Sequence, residues 1–311
     1  MRLIRRSRRG QPALEGGCVA TIGTFDGIHL GHRQILDRVQ TEAAARGLAS
    51  VVFSFEPTPA EFFRRGTPPA RLMRFREKFG LLSELGLDAF YCPPFDAAME
   101  SLQPAEFIRE LLIGVLGVKH LVVGDDFRFA KGRSGNFDDL VRGGREHGFT
   151  VEQVHSVIAD GLRVSSTQIR QALQAGELDQ ARRLLGRYYC MSGRVVPGLQ
   201  LGKQLGYPTA NVNLKRRAAA LNGIFAVRVG GLGPNLLDGV ASLGTRPTVN
   251  GGGEPLLEVH IFDFDQDIYG RYISVEFVAR LRDELKFPDL AELTAQMHLD
   301  AAQAREILAR M

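Results

Sequence analysis

Two histidines three residues apart, His29 and His32, end a glycine-rich stretch that reads Thr-Ile-Gly-Thr-Phe-Asp-Gly-Ile-His-Leu-Gly-His from residue 21. Before it, residues 19–22 form a short β-branched run that reads as a buried strand. After it, Ile35, Leu36 and Val39 fall on one helical face, and Gly47 offers a left-handed stop. A strand, a glycine loop and a helix in that order put free backbone N–H groups, with about half a positive charge, at the head of the helix. Gly23, Gly27 and Gly31 let the backbone come close to a ligand. Imidazoles one turn apart project from the same side as those amides, and the set suits the α- and β-phosphates of a nucleoside triphosphate. Zinc is the rival ligand for paired histidines, but neither His-Glu-x-x-His nor a cysteine cluster lies nearby. No Gly-x-Gly-x-x-Gly follows the strand, so the dinucleotide fingerprint is not met. One of the two histidines could instead be a helix cap or a buried structural residue.

A second phosphate-type element reads Arg163-Val-Ser-Ser-Thr-Gln-Ile-Arg170. Ser165 and Ser166 are N-cap types for a helix reaching about Gly176, and hydroxyls, free amides and two arginines there would hold a triphosphate or pyrophosphate. The same run is also an ordinary cap. Residues 124–133 mix Phe127 and Phe129 with charge; those rings either belong to the core or stack on a flat ligand.

A third dense element is Gly202-Lys-Gln-Leu-Gly-Tyr-Pro-Thr-Ala-Asn-Val212. If extended, it presents Thr209 and Asn211 on one side, neutral oxygens of the kind that suit a Mg²⁺ also held by ATP phosphates. If folded back, Pro-Thr-Ala-Asn is only a turn. The P-loop signature is absent. In residues 256–262, alternation puts Leu257, Val259 and Ile261 on one face and Glu258, His260 and Phe262 on the other. A carboxylate in so apolar a strand is either salt-bridged or poised as a base.

These groups need a scaffold, and 311 residues are enough for two domains with separate cores. We divide the chain at 1–184 and 185–311. In the first part, strand candidates at 50–55, 89–92, 120–123 and 149–154 alternate with helices. Leu72, Phe75, Phe79, Leu82 and Leu85 make a helical stripe closed by Gly86, and Pro104 opens a helix carrying Phe107, Ile108, Leu111 and Leu112. That rhythm predicts a Rossmann-like open parallel sheet with helices on both faces. Its ligand crevice lies beyond the carboxyl ends of the strands, where the 23–32 and 124–133 loops both fall. In the second part, alternating runs at 193–196, 224–229, 239–243, 257–262 and 272–278 predict an antiparallel barrel or sandwich. A final helix follows, with Asp289 and Glu292 as its capping box and Leu290, Leu293 and Met297 as its apolar face.

Net charge is +4, much of it in Arg2, Arg5, Arg6, Arg8 and Arg9, which we read as a solvated arm. No aromatics are interleaved as a nucleic-acid surface would require, and no apolar segment follows as an export signal would. No stretch approaches the ~20 apolar residues of a membrane span. Cys18, Cys92 and Cys190 are far apart, in no metal-ligand spacing, and read as free thiols of a reducing cytoplasm. The expectation is a cytoplasmic protein with neither nucleic-acid nor membrane partners.

Taken together, the chain from about residue 17 onward resembles the bacterial bifunctional riboflavin kinase/FAD synthetases. The resemblance is carried by the 21–32 stretch, Phe53-Ser-Phe-Glu-Pro57, Val123-Gly-Asp-Asp-Phe-Arg-Phe129, the 163–170 run, Leu205-Gly-Tyr-Pro-Thr-Ala-Asn211, Gly244-Thr-Arg-Pro-Thr248 and residues 258–264, in that order. It implies an N-terminal FMN adenylyltransferase of the histidine-motif nucleotidyltransferase type and a C-terminal flavokinase barrel of six antiparallel strands with a terminal helix. It further implies that ATP, riboflavin and FMN are the substrates, with Mg²⁺ as cofactor. By position, Gly23, Phe25, Asp26, His29, Gly31, His32, Arg163, Ser166, Thr167 and Arg170 would meet ATP in the first half. Asp126, Phe127 and Arg128 would meet the flavin. In the second half Lys203, Gly206 and Pro208 would frame ATP, Thr209 and Asn211 would hold Mg²⁺, and Glu258 would be the general base. Thr24 stands where members often carry Asn, Ala130 replaces a common Gly, Lys203 a common Arg, and Ser242-Leu243 a frequent Asn-Ile. The alternatives are a same-fold nucleotidyltransferase with another phosphate-ester acceptor, or a flavin-binding regulatory protein. A homo-oligomer, or transient contact with apo-flavoproteins, stays open.

Overall fold

Apolar β-branched runs form buried strands in both halves of the chain, and the computed structural model describes residues 1–5, 13–63, 68–198, 202, 205–246 and 254–311. Lys203, Arg6, Arg8, Arg9, Pro247 and Thr248, all singled out from the sequence, lie outside the described residues. The chain divides into two units, Met1–Pro68 with Phe75–Val164, and Pro69–Arg74 with Ser165–Met311.

The first unit is built on six strands: β1 (Arg2–Ile4), β2 (Cys18–Ile22), β3 (Ala49–Phe53), β4 (Ala89–Tyr91), β5 (Val118–Gly124) and β6 (Thr150–Val154). They lie in the order β1-β4-β3-β2-β5-β6, and every neighbouring pair is parallel. The helices are α1 (Leu30–Arg46), α2 (Pro59–Phe63), α3 (Phe75–Glu84), α4 (Ala97–Ser101), α5 (Pro104–Phe107) and α6 (Phe137–His147). After α5 the chain continues as a wider π-helical turn, Ile108–Ile113, which still buries Ile108, Leu111 and Leu112 as the spacing predicts. From β2 the sheet grows outward through β3 and β4 on one side and through β5 and β6 on the other. The crevice at that reversal lies beyond the carboxyl ends of β2 and β5. The 23–32 loop leaves β2 and the 124–133 loop leaves β5, adjacent strands in which Thr21 pairs with Val122.

Two local expectations fail. Arg2–Ile4 is a strand rather than part of a solvated arm, because the apolar pair Leu3-Ile4 docks beside β4 and buries Ile4. Leu72, which we counted into the stripe of α3, precedes that helix and lies fully buried in the second unit.

A short hairpin, β7 (Ile158–Ala159) with β8 (Leu162–Arg163), precedes the second unit, which begins with α7 (Ser166–Ala175) and α8 (Leu178–Leu185). Six strands follow: β9 (Tyr189–Val196), β10 (Ala210–Asn213), β11 (Gly223–Gly230), β12 (Leu237–Arg246), β13 (Glu254–Ile261) and β14 (Tyr272–Arg282). They close as an antiparallel barrel, β10-β13-β12-β11-β14-β9, because β10 pairs with both β13 and β9. The barrel is thus chosen over the sandwich, and closure leaves no edge strand. Residues 69–74 are strapped onto this unit by arginines: Arg170 Nε donates to the Ala70 carbonyl at 2.7 Å, and Arg74 donates to the Ser192 carbonyl at 2.8 Å. Arg216, itself buried, donates to the Arg71 and Leu72 carbonyls.

The C-terminal helix, Leu290–Ala309, starts at Asp289, whose carboxylate accepts from the Glu292 N–H at 2.9 Å. Its buried face is Ala301, Ala304 and Leu308, set against Ala226, Phe262 and Val278 of the barrel. Of the expected face, Leu290 is exposed, whereas Leu293 and Met297 are half-buried. Small alanines let this helix approach the barrel wall closely, and Arg282 anchors it through Asp300 at 2.6 Å.

Candidate active sites

The first-unit loop is tightly bent. Phe25 and Ile28 both take positive φ, +47° and +40°, alongside Gly27 at +88°. A β-branched residue there is a genuine outlier, and strain of this kind clusters at ligand sites. The bend is held from beneath: Gly23 N–H donates to the Phe53 carbonyl at 3.0 Å, and Phe25 is a fully buried ring. His29 is the N-cap of α1, its Nδ1 accepting from the His32 N–H at 3.3 Å. The capping reading therefore holds for His29. Because Nδ1 accepts, the neutral ring carries its proton on Nε2, which remains a donor. The two imidazoles stack with centroids 3.6 Å apart, and Phe25 lies 4.9 Å from His32. A Cβ at Gly31 would come within 3.3 Å of the His29 ring, so any larger residue at this helix start would press on that ring. Phe25, His29, Gly31 and His32 are brought together; Asp26 is half-buried in the same bend.

Beyond β5, Phe127 and Phe129 both pack on the core but differ in burial. Phe129 is buried among core residues, whereas Phe127 is half-buried and stacks on it at 5.8 Å. Aromatic contacts run on from Phe129 through Phe107, Phe53 and Phe55 to Phe95, with Phe62 and Phe63 against Phe95. This wall at the carboxyl ends of the strands was not singled out from the sequence, although the Phe53-Ser-Phe pattern contains part of it. Arg163 forms an ion pair with Asp126 at 2.7 Å and reaches Asp125 at 3.4 Å. Hydrogen bonds from Ser156, then the Arg163 charge, hold the Asp125 carboxyl below the usual range. Arg128 is exposed. Ala130 sits at φ +64°, ψ −171°, a region that only glycine enters without strain.

Ser165, rather than Ser166, is the cap of α7, its Oγ accepting from the Gln168 N–H at 3.2 Å. Ser166, Thr167 and Arg170 lie on the first turns of that helix, in the second unit. Cys18 offers no nucleophile: burial pushes its thiol up to about 12, and its sulfur donates to the Leu116 carbonyl.

In the barrel, register supplies the main observation. Asn211 on β10 stands directly opposite Glu258 on β13, and Glu258 stands opposite Ser242 on β12. Directly opposed residues share a face, so a carboxamide, a carboxylate and a hydroxyl form one row across three strands. Pro-Thr-Ala-Asn is thus strand rather than turn from Ala210 onward, and the alternation in 256–262 holds, with Leu257, Val259 and Ile261 buried. Asn211 is buried, and a side chain at Gly198 would collide with its carboxamide; a Cβ at Gly202 would lie 3.3 Å from Thr209 Oγ1. Gly206 takes positive φ, and Pro208 is exposed. The Pro208 carbonyl contacts His260 Nδ1 at 2.9 Å, and Tyr207 hydrogen-bonds His298 of the C-terminal helix. The reading from sequence missed Gly198, and it noted Ser242 only as a departure from the family pattern, although it adjoins Glu258. Neither role is visible in composition, since both depend on which strands pair.

Comparison with known proteins gives two family matches along the chain, FAD synthetase over residues 11–168 and riboflavin kinase over 185–308. A bifunctional riboflavin kinase/FMN adenylyltransferase of Escherichia coli strain K12 is 46% identical over 306 residues, 98% of this chain and 97% of the relative. A Pseudomonas fluorescens protein of the same description is 47% identical, covering 99% of this chain and 98% of its own. A solved structure described as a macrolide-efflux protein from Streptococcus pneumoniae superimposes with TM-score 0.84 at 29% identity, over 96% of this chain and 97% of that one. Among the described residues, no helix is long and apolar enough to cross a membrane.

Proposed function

The chain belongs to the bifunctional riboflavin kinase/FMN adenylyltransferase family, and from that membership we propose how its residues divide two reactions. It phosphorylates riboflavin to FMN with ATP, and adenylylates FMN to FAD with release of pyrophosphate. We assign the first reaction to residues 185–311 and the second to residues 1–184, and place the enzyme in the cytoplasm.

The observation that carries the assignment is the Asn211–Glu258–Ser242 row. Glu258 accepts the proton of the riboflavin 5′-hydroxyl as that oxygen attacks the γ-phosphorus of ATP; the bond to the β,γ-bridging oxygen breaks and ADP leaves. Thr209 and Asn211 fit a Mg²⁺ that arrives with ATP: both are hard neutral donors, and Gly198 and Gly202 leave the space in front of them that a Cβ would fill. The ion supplies charge neutralisation at the transferring phosphoryl group. Lys203, Gly206 and Pro208 frame the same nucleotide by family resemblance.

In adenylylation the FMN phosphate is itself the nucleophile on the α-phosphorus of ATP, so the protein supplies alignment and charge stabilisation rather than a covalent intermediate. His29 donates from Nε2 and His32 lies stacked on it, at a helix start that already favours anions. Gly23, Phe25, Asp26 and Gly31 shape that bend. Arg163, Ser166, Thr167 and Arg170 are carried over as phosphate ligands from the family, and Asp126, Phe127 and Arg128 as flavin contacts. The half-buried Phe127 ring supports the flavin assignment best, since it offers a flat face beside the aromatic wall.

Chromatography of flavins after incubation with riboflavin, ATP and Mg²⁺ tests the whole reading, with FMN and then FAD expected. Glu258→Gln should lower FMN formation by roughly 10²- to 10⁴-fold while conversion of supplied FMN to FAD continues. Loss of both reactions in that variant would overturn the division of labour.

A further inference from the structure

Among the described residues, Lys78 is one of the few charged side chains that are buried, with 4% of its surface exposed. It lies on α3 at a position that shares a face with Phe75, Phe79 and Leu82, where helical spacing calls for an apolar side chain. Phe75 and Phe79 there pack on Phe90 of the sheet. Lysine is almost never buried unless its charge is matched, because stripping water from an ammonium is expensive. What it reaches is the phosphate-type loop: Nζ donates to the Thr24 carbonyl, which also accepts from Ser54 Oγ at 3.4 Å. Thr24 immediately precedes the bend formed by Phe25 and Ile28. Phe25 in turn meets His32, and His32 stacks on His29.

We propose that Lys78 is a positioning residue for adenylyl transfer: its buried ammonium, fixed on the Thr24 carbonyl, holds the strained 24–28 bend in the shape that presents His29 and the start of α1 to the phosphates of ATP. The inference rests on the adenylyltransferase reading of this loop. It adds a buried donor behind a loop read as binding a polyanion, and with Ser54 it ties a carbonyl that could otherwise turn toward that anion. Methionine matches lysine in length and apolar volume but can hold no carbonyl. Arginine retains the charge and the donor.

The test uses the whole enzyme and three variants, Lys78→Met, Lys78→Gln and Lys78→Arg, with riboflavin phosphorylation by the same molecules as the internal control. The expected result for Lys78→Met and Lys78→Gln is a rise of about 10- to 100-fold in KM for ATP in FMN adenylylation, the size of one lost charge-assisted hydrogen bond. KM for FMN should stay within about twofold, kinase activity should be unchanged, and Lys78→Arg should recover most of the loss. A twofold or smaller change in KM for ATP in Lys78→Met would overturn the proposal while leaving the adenylyltransferase reading intact. Equal rises in KM for ATP and FMN would overturn it as well, in favour of a merely structural lysine. So would loss of FMN binding, read by flavin fluorescence, in all three variants. Failure of the unaltered enzyme to make FAD would instead overturn the underlying reading.

Discussion

His29 caps α1 with one ring nitrogen, and the chemistry proposed for it uses the other. Nδ1 closes the first turn of α1, and Nε2 then carries the proton of the neutral ring. The two roles separate by substitution, because asparagine is a strong N-cap and alanine is not. His29→Asn should retain stability within about 0.5 kcal/mol, whereas His29→Ala should lose about 0.5–2 kcal/mol in urea denaturation of the first unit. Both should lower FAD formation by roughly 10²-fold or more through loss of the Nε2 donor. If His29→Asn kept full adenylyltransferase activity, the histidine would be a cap and nothing else. Residue identity made much of this legible, since two histidines after a glycine loop already suggest phosphate. The sequence could not say which of the two would be the cap.

At the scale of elements, β10 decides the proposed kinase site. Four residues of strand convert an ambiguous Pro-Thr-Ala-Asn into a row with Glu258 and Ser242. The stretch after β9 must then pass close to Asn211, and only glycine at 198 leaves room. Gly198→Ala should reduce riboflavin phosphorylation by roughly tenfold or more in kcat/KM for ATP, the order of effect expected when a positioning contact moves by about 1 Å. FMN adenylylation by the same molecules should not change, and a parallel fall in both would point to general instability instead. Strand pairing also locates the Ser242 departure: the position reads as ordinary barrel from sequence, but register sets it directly beside Glu258. Ala130 is the opposite case, a departure noticed in the sequence whose meaning is visible only in its strained φ and ψ.

At the scale of the whole molecule, the chain enters the second unit twice, at residues 69–74 and again from residue 165. The short segment is held by backbone carbonyls on guanidinium groups, with Leu72 as its buried apolar anchor. Arg216→Met leaves two of those carbonyls without their donor, a loss of about 1–3 kcal/mol. Thermal inactivation of riboflavin phosphorylation should therefore shift down by several degrees, on the order of 2–4 °C per kcal/mol for a unit of this size. An unchanged midpoint would mean that the strap rides on the barrel without supporting it. Such a strap explains why Leu72 was assigned to the wrong element: its spacing from Phe75 fits a helix, but the proline pair at 68–69 and the carbonyl–arginine bonds draw it elsewhere.

What the sequence by itself determined was local and periodic. Alternation with period 2 and stripes with period 3.6 located the strands and helices, and the strand–helix rhythm implied a parallel sheet with its crevice at the carboxyl ends. Residue type at short spacing named His29, His32, Thr209, Asn211 and Glu258 as the groups able to do phosphate chemistry. What only the tertiary structure decided was which distant segments meet: barrel closure through β10, Ser242 beside Glu258, Lys78 beneath Thr24, and residues 69–74 upon the second unit. The reason is physical. Backbone periodicity and capping act over a few residues and leave a trace in local spacing, whereas strand register and buried polar contacts are selected by packing the chain as a whole.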